Sequence, residues 1–406
     1  MTDISVLVVD DSALMRNLIS KIVESTPGLC VAGKAMNGSF ALEKIPLLKP
    51  DVICLDIEMP VMNGIEFLKE RKRLGIDIPV IVLSSIATEG AAVTMQCLEL
   101  GASDFVTKPS GSVSNDINKV AERLSELLLS FGGNYAKLHN RASVSSEEIE
   151  AVVRTYRKND EQEALQIKTP VRLQDKASVT EKTQTETKPS FLSRYASMTT
   201  PVINKPIVPL REGGKIEVIV IGISTGGPNA LRHVFSKISP AVQQPIIVVQ
   251  HMPAGFTAEF ARSLDNICPL EVKEAADGDI LKSGRILIAP GNFHVYIEKK
   301  SLAYIVRLSD GPQRNGHRPS ADVLFESAAE IFQNHALGVI MTGMGRDGAA
   351  QLAQMRKQGA WTLGQDEESS IVYGMPKVAY EMGAVQKQVS LSDMADEISR
   401  LALAHR

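Results

Sequence analysis

Cysteine is scarce, neither sign of charge dominates, and no long apolar run is present; each absence removes a class of protein. The four cysteines, Cys30, Cys54, Cys97 and Cys268, are scattered, with Cys30 and Cys54 on expected strands. They read as reduced core residues, not as a disulfide framework. A net charge of −3 leaves no basic footprint for nucleic acid, and no helix-turn-helix pattern is found, which argues against a transcription factor. No apolar stretch is long enough to cross a bilayer, and a core-strand pattern begins where a signal peptide would stand. A cytoplasmic protein without membrane insertion is expected. Neither HExxH nor CxxC spacing occurs, so a zinc site built from the histidines is not expected.

What is present has room for two cores in 406 residues. In residues 1 to 130, Ile4 to Val9, Cys30 to Ala35, Asp51 to Leu55, Val80 to Leu83 and Asp104 to Val106 read as strands, with amphipathic segments between them. Such alternation implies a parallel doubly wound sheet with its functional residues at the strand carboxyl ends. Those ends carry Asp10 and Asp11, Asp56, Ser84, and Lys108 followed by Pro109. Crowded carboxylates repel unless a cation neutralises them, and hard oxygen ligands suit magnesium. Asp56 is then a phosphoryl acceptor, Ser84 a hydrogen-bond donor to the phosphate and Lys108 its counter-charge.

In the second half, a strand from Glu217 to Ile221 runs into Gly222, Ile223, Ser224, Thr225, Gly226, Gly227 and Pro228. A glycine turn of this kind also serves nucleotides, but the Walker lysine is missing and the spacing is not a dinucleotide fingerprint. The next strand, Pro245 to Gln250, ends in His251 instead of the acidic residue that a ribose would require. A third, Leu337 to Met341, leads through Thr342, Gly343, Met344, Gly345 and Arg346 to Asp347 and Gly348. Right-handed crossovers place Ser224, His251 and Asp347 on one edge of one sheet, as nucleophile, base and orienting acid. His233 and His335 read as surface residues, whereas His294 and His317 lie near turns from which they can line the same cleft.

After about Gly133 the composition shifts to Ser, Thr, Glu, Lys and Gln, which cannot bury enough apolar surface to offset its ordering entropy. Within this stretch, Ser145 to Glu148 fits a capping box, and Ile149, Val152 and Val153 have the spacing of one short docking helix. Pro201, Pro206 and Pro209 stiffen the approach to the second domain.

Residues 1 to 130 resemble a response-regulator receiver domain, matching at Asp10, Asp11, Asp56, Ser84 and Lys108 and in the run from Asp56 to Gly64. The resemblance implies that Asp56 takes phosphate from a histidine kinase, with Mg2+ held by Asp10 or Asp11, Asp56 and the Glu58 carbonyl. It also implies that Phe105 swings inward with Ser84 on activation, and that the Lys108–Pro109 peptide is cis. Together with Gly222 to Pro228, Gln250 to Pro253, Thr342 to Gly348 and the segment from His317 to Asp322, the whole resembles the chemotaxis protein-glutamate methylesterases, the CheB family.

That resemblance implies a flavodoxin-like receiver over 1–131, a long flexible linker over 132–212 and a Rossmann-like serine hydrolase domain over 213–406. The implied substrate is a glutamyl methyl ester on a chemoreceptor, with receptor glutamine deamidated as well and no cofactor for the ester step. Backbone N–H groups near Thr225 and Met344 are the expected oxyanion donors, and the unphosphorylated receiver is expected to cover the active-site edge. Two other readings are a serine hydrolase for another protein ester or amide, and a phosphorylation-gated receptor-binding protein without turnover.

Overall fold

Valine and isoleucine dominate the central strands because both faces of a parallel sheet are covered by helices, so every side chain along Val52–Asp56, Val80–Ser84, Ile246–Gln250 and Ala336–Ile340 is buried. The computed structural model describes residues 3–84, 88–108, 114–141, 148–152 and 207–406. In the first sheet, β1 (Ile4–Val9), β2 (Leu29–Ala35), β3 (Val52–Asp56), β4 (Val80–Ser84) and β5 (Asp104–Thr107) lie in the order β2-β1-β3-β4-β5. All neighbours are parallel, the flavodoxin-like arrangement. Helices α1 (Ala13–Ser25), α2 (Gly38–Leu48), α3 (Gly64–Arg73), α4 (Thr88–Glu99) and α5 (Ser114–Leu138) connect and cover it. A capping box between Asn63 and Glu66 starts α3 shortly after the Asp56 strand end.

The last receiver helix passes the expected boundary at residue 131 and continues to Leu138. Gly132, within this helix, is a close-packing site. A Cβ on Gly132 would stand 2.5 Å from Ile4 Cγ2, so only glycine lets α5 lie this near β1. A short helix, α6, follows over 148–152; Ile149 is buried against the same apolar cluster as Leu124 and Leu128, and Val152 packs beside it. The docking helix is therefore present. Ser145, Val153 and most of the expected linker lie outside the described residues.

The second sheet holds β6 (Val218–Ile223), β7 (Ile246–Gln250), β8 (Glu271–Glu274), β9 (Arg285–Ile288), β12 (Ala336–Ile340), β13 (Trp361–Gln365) and β14 (Lys387–Val389). Their order is β14-β13-β12-β6-β7-β9-β8, parallel throughout, with an antiparallel hairpin of β10 (His294–Lys299) and β11 (Tyr304–Ser309) to one side. Helices α7 (Gly227–Phe235), α8 (Thr257–Asp265), α9 (Ala321–Phe332), α10 (Ala349–Gln358), α11 (Met375–Glu381) and α12 (Met394–Ala404) complete the unit. The chain departs from β6 toward β7 on one side and later returns to β12 on the other. That reversal is the point at which open α/β sheets form their ligand crevice.

The two units share apolar contacts. Phe105 of β5 stacks on Phe256 at the start of α8, ring centroids 4.7 Å apart, and Met344 and Val372 join the cluster built on α5. Among the described residues, no helix is long and apolar enough to cross a membrane.

Candidate active site and receiver pocket

Three loops at the switch point deliver the expected residues to one place. Ser224 follows β6, and its Oγ lies 3.1 Å from Nδ1 of His251, which follows β7. Nε2 of the same ring lies 2.9 Å from Oδ2 of Asp347, which follows β12. The imidazole therefore donates its Nε2 proton to the acid and offers the bare Nδ1 to the serine hydroxyl. A Cβ on Gly343 would stand 2.7 Å from the Ser224 Cβ, so glycine there lets the third loop close onto Ser224.

Asp347 accepts from four further groups. These are Asn315 Nδ2 and Ser320 Oγ at 2.7 and 2.6 Å, and the backbone N–H groups of Ala321 and Asp322 at 2.6 and 3.4 Å. Burial alone would disfavour its charge. The hydrogen bonds from His251, Ser320 and Asn315 outweigh that and hold the carboxyl well below the usual carboxylate range. Gln250 steadies the neighbouring backbone, its Nε2 donating to the Ser224 and His251 carbonyls. The N–H groups of Thr225 and Met344 meet no acceptor among the described residues.

Of the other histidines, His317 lines the cavity of about 760 Å³ that contains Ser224 and His251. His294 does not. It is buried at the start of β10, where Nε2 bonds the Pro312 carbonyl, because β10 turns its first side chain under the loop and away from the cleft. Sequence reasoning missed Asn315 and Ser320. The signal for the first was present: Asn-Gly at 315–316 is a strong tight-turn signature, and both residues have positive φ, 55° and 81°.

The receiver forms the other wall of that cavity. Thr225, fully buried beside Ser224, gives its hydroxyl proton to Glu126 of α5 and accepts from Arg123 Nη1 at 2.9 Å. The Gly226 N–H donates to Asp104 Oδ2 at 3.1 Å, and Asn229 Nδ2 reaches the carbonyls of Ala102 and Ser103 at 2.9 and 3.1 Å. Asn134 Nδ2 bonds the Ile371 carbonyl at 2.7 Å. Burial pushes the Asp104 carboxyl up, against the pull of Arg123.

At the carboxyl edge of the first sheet, ligand oxygens of Asp10, Asp11 and Asp56 lie within 4.8 Å of one another. Lys108 Nζ is 2.7 Å from Asp56 Oδ1 and 3.3 Å from Asp10 Oδ2, the latter buried without a hydrogen bond. A buried carboxylate oxygen of that kind, in an all-oxygen set, fits a hard divalent cation. Burial pushes the Asp56 carboxyl up to about 6, opposed by Lys108 and reinforced by Asp10. Ser84 ends the neighbouring strand β4, and its hydroxyl meets Thr94 Oγ1 at 2.5 Å. Glu58 lines the same pocket as Asp56 and Lys108. The Lys108–Pro109 peptide lies outside the described residues.

A receiver sheet with an acidic acceptor pocket, joined to a parallel-sheet unit whose crevice holds a serine, a histidine and an aspartate in line, defines a receiver-coupled hydrolase. Comparison with known proteins specifies the class. Residues 219–398 match the CheB methylesterase family and residues 6–118 the response regulator receiver domain. A Treponema denticola protein named protein-glutamate methylesterase/protein-glutamine glutaminase is 55% identical over 98% of each chain. Its Treponema pallidum counterpart is 53% identical over 98% of this chain and 97% of its own. The solved catalytic domain of Thermotoga maritima CheB methylesterase aligns over 47% of this chain and 99% of its own, at 36% identity and a TM-score of 0.45. The chain belongs to the CheB family of receiver-linked methylesterases.

Proposed function

We propose that the crevice hydrolyses γ-glutamyl methyl esters on the cytoplasmic part of a chemoreceptor, releasing methanol and leaving glutamate, and deamidates receptor glutamines by the same route. The observation that carries this reading is the hydrogen-bonded line from Ser224 through His251 to Asp347, on a chain whose relatives are named for both reactions. His251 Nδ1 takes the hydroxyl proton as Ser224 Oγ attacks the ester carbonyl. Asp347 holds the imidazolium that results, and the Thr225 and Met344 N–H groups receive the oxyanion, a contribution of ~3 kcal/mol per donor. The proton then passes from Nδ1 to the departing methoxy oxygen. Water, deprotonated by the same nitrogen, cleaves the acyl-serine and restores the hydroxyl.

The receiver governs access. Asp10, Asp11, Asp56 and the Glu58 carbonyl would hold Mg2+, which when bound neutralises the crowded carboxylates during phosphoryl transfer from a histidine kinase. Phosphate on Asp56 draws Lys108 and, once it leaves Thr94, Ser84. Phe105 then gives up its stack on Phe256, and the α5 contacts to Thr225 loosen. Each tenfold of activation requires only about 1.4 kcal/mol of difference between the closed and open states.

Two expected outcomes test this. Methanol release from methylated chemoreceptor membranes rises on adding Mg2+ and a small phosphodonor such as acetyl phosphate, and Asp56→Asn abolishes the rise while retaining basal release. Release that is absent with every receptor tested would move the reading to another ester or to a binding role. Asn229→Ala removes two hydrogen bonds across the closed boundary, each worth ~0.5–1.5 kcal/mol, and touches no reacting atom. It is expected to raise unphosphorylated activity roughly fivefold to a hundredfold and to leave phosphorylated activity unchanged. An unaltered resting rate would show that these bonds do not hold the protein closed.

A further inference from the structure

His317 has no part in the mechanism above, yet it occupies the face of the residue on which that mechanism turns. Its ring lies 3.8 Å from that of His251, centroid to centroid, with only 11° between the planes. The two nitrogens of His251 are held at the ring edge by Ser224 and Asp347, and neither contact fixes the tilt of the ring about the line joining them. A parallel ring against one face does.

The backbone that brings His317 there is tightly specified. Arg314 and His317 exchange both backbone hydrogen bonds, at 3.0 and 3.1 Å, across the Asn315–Gly316 turn. Positive φ at both central residues makes it a two-residue turn of the type that asparagine and glycine favour. Asn315 is clamped between two carboxylates, its Nδ2 2.7 Å from Asp322 Oδ2 and 2.7 Å from Asp347 Oδ1. Arg314 is tied to Glu326 of α9 at 2.5 Å. One turn thus touches both members of the acid–base pair: Asn315 the acid at its edge, His317 the base on its face.

We infer that His317 is a positioning residue for the base, setting the plane of the His251 ring and supporting its charged form. Proton transfer from Ser224 turns His251 into an imidazolium. The π face of an aromatic ring at this separation attracts a cation, so the interaction strengthens in the transition state. It is stronger there than in the ground state, and its loss therefore appears in kcat more than in KM. This inference rests on the assignment of His251 as the base of the ester reaction.

The test compares His317→Leu, which fills similar space without a π face, with His317→Phe, which restores one. Both are made in the full chain and assayed for methanol release with Mg2+ and acetyl phosphate present. Expected is a fall in kcat of roughly tenfold to a hundredfold for the leucine variant, KM staying within about twofold, and a phenylalanine variant within about threefold of wild type. Equal losses in the two variants, or wild-type kcat in the leucine variant, would overturn the inference. If leucine prevents folding, a folded phenylalanine variant that loses more than about tenfold overturns it as well. Ser224→Ala, run alongside, separates the two failures: activity that survives there removes the reading of the site itself, whereas activity lost there and unaltered in His317→Leu removes only the role of His317.

Discussion

Replacing Ser224 with alanine brings methanol release down to the background of receptor membranes alone, a loss on the order of 10⁶ in kcat. The magnitude follows from what remains. Asp347, its donors and the N–H groups of Thr225 and Met344, which meet no acceptor among the described residues, all survive the substitution, but the atom that forms the acyl bond is gone. His251 Nδ1 then has no hydroxyl to activate, and water held in the vacated space is a poorly oriented substitute. The variant should still take phosphate on Asp56, because that pocket belongs to the other sheet. Acetyl phosphate labelling therefore serves as the control for folding. Labelling with no turnover confirms the nucleophile, and turnover in a labelled, purified variant removes Ser224 from that role.

Asp347→Asn is the second large effect, about 10⁴-fold in kcat, and its origin is the count of donors. Every group around this carboxylate donates: His251 and the Ala321 N–H to Oδ2, and Asn315, Ser320 and the Asp322 N–H to Oδ1. An asparagine must place its own NH2 on one side or the other. Facing His251, it opposes an N–H and favours the tautomer with the proton on Nδ1, the nitrogen that must be bare to receive the Ser224 proton. Facing Asn315, it sets two amide donors against each other in a buried place, at ~1–3 kcal/mol. A lower melting temperature should therefore accompany the lost rate. In the wild type the depressed carboxyl lends stability that is fully present above its unfolded value of about 4. That contribution is lost only as pH falls through the lower folded-state value, so it is intact at neutral pH. Measuring kcat and thermal unfolding together distinguishes this from a purely structural lesion, in which rate and stability would fall in proportion.

Strand ends were legible in the sequence because parallel sheets punctuate themselves. A buried β-branched run stops where a polar residue appears, so Asp56, Ser224, His251 and Asp347 could each be placed on an edge from one line of letters. Strand limits moved by only a residue or two. What supports those residues was less legible. His317 was expected in the cleft and lines it, but Ser320 and the Ala321 N–H reach Asp347 only because α9 packs against β6, which leaves no periodic trace. The receiver boundary, drawn where the composition turns polar, fell short of the end of α5, because the last turns of that helix carry few apolar residues. His294 shows the same limit: proximity to a turn says nothing about which side of it the ring will take.

Thr225 answers to two demands at once. Its hydroxyl is gripped by Arg123 and Glu126 of the receiver, while its amide, next to Ser224 in the chain, has no acceptor among the described residues. A substitution there would alter the resting leak and the turnover together, so natural variation has little freedom to set one without disturbing the other. On the proposed reading, fine adjustment of the set point would fall instead to positions such as Asn229 and Asn134, which reach across the boundary but stay clear of the proposed chemistry. Among relatives with different adaptation speeds, those positions are where the sequences should drift while Thr225 stands still.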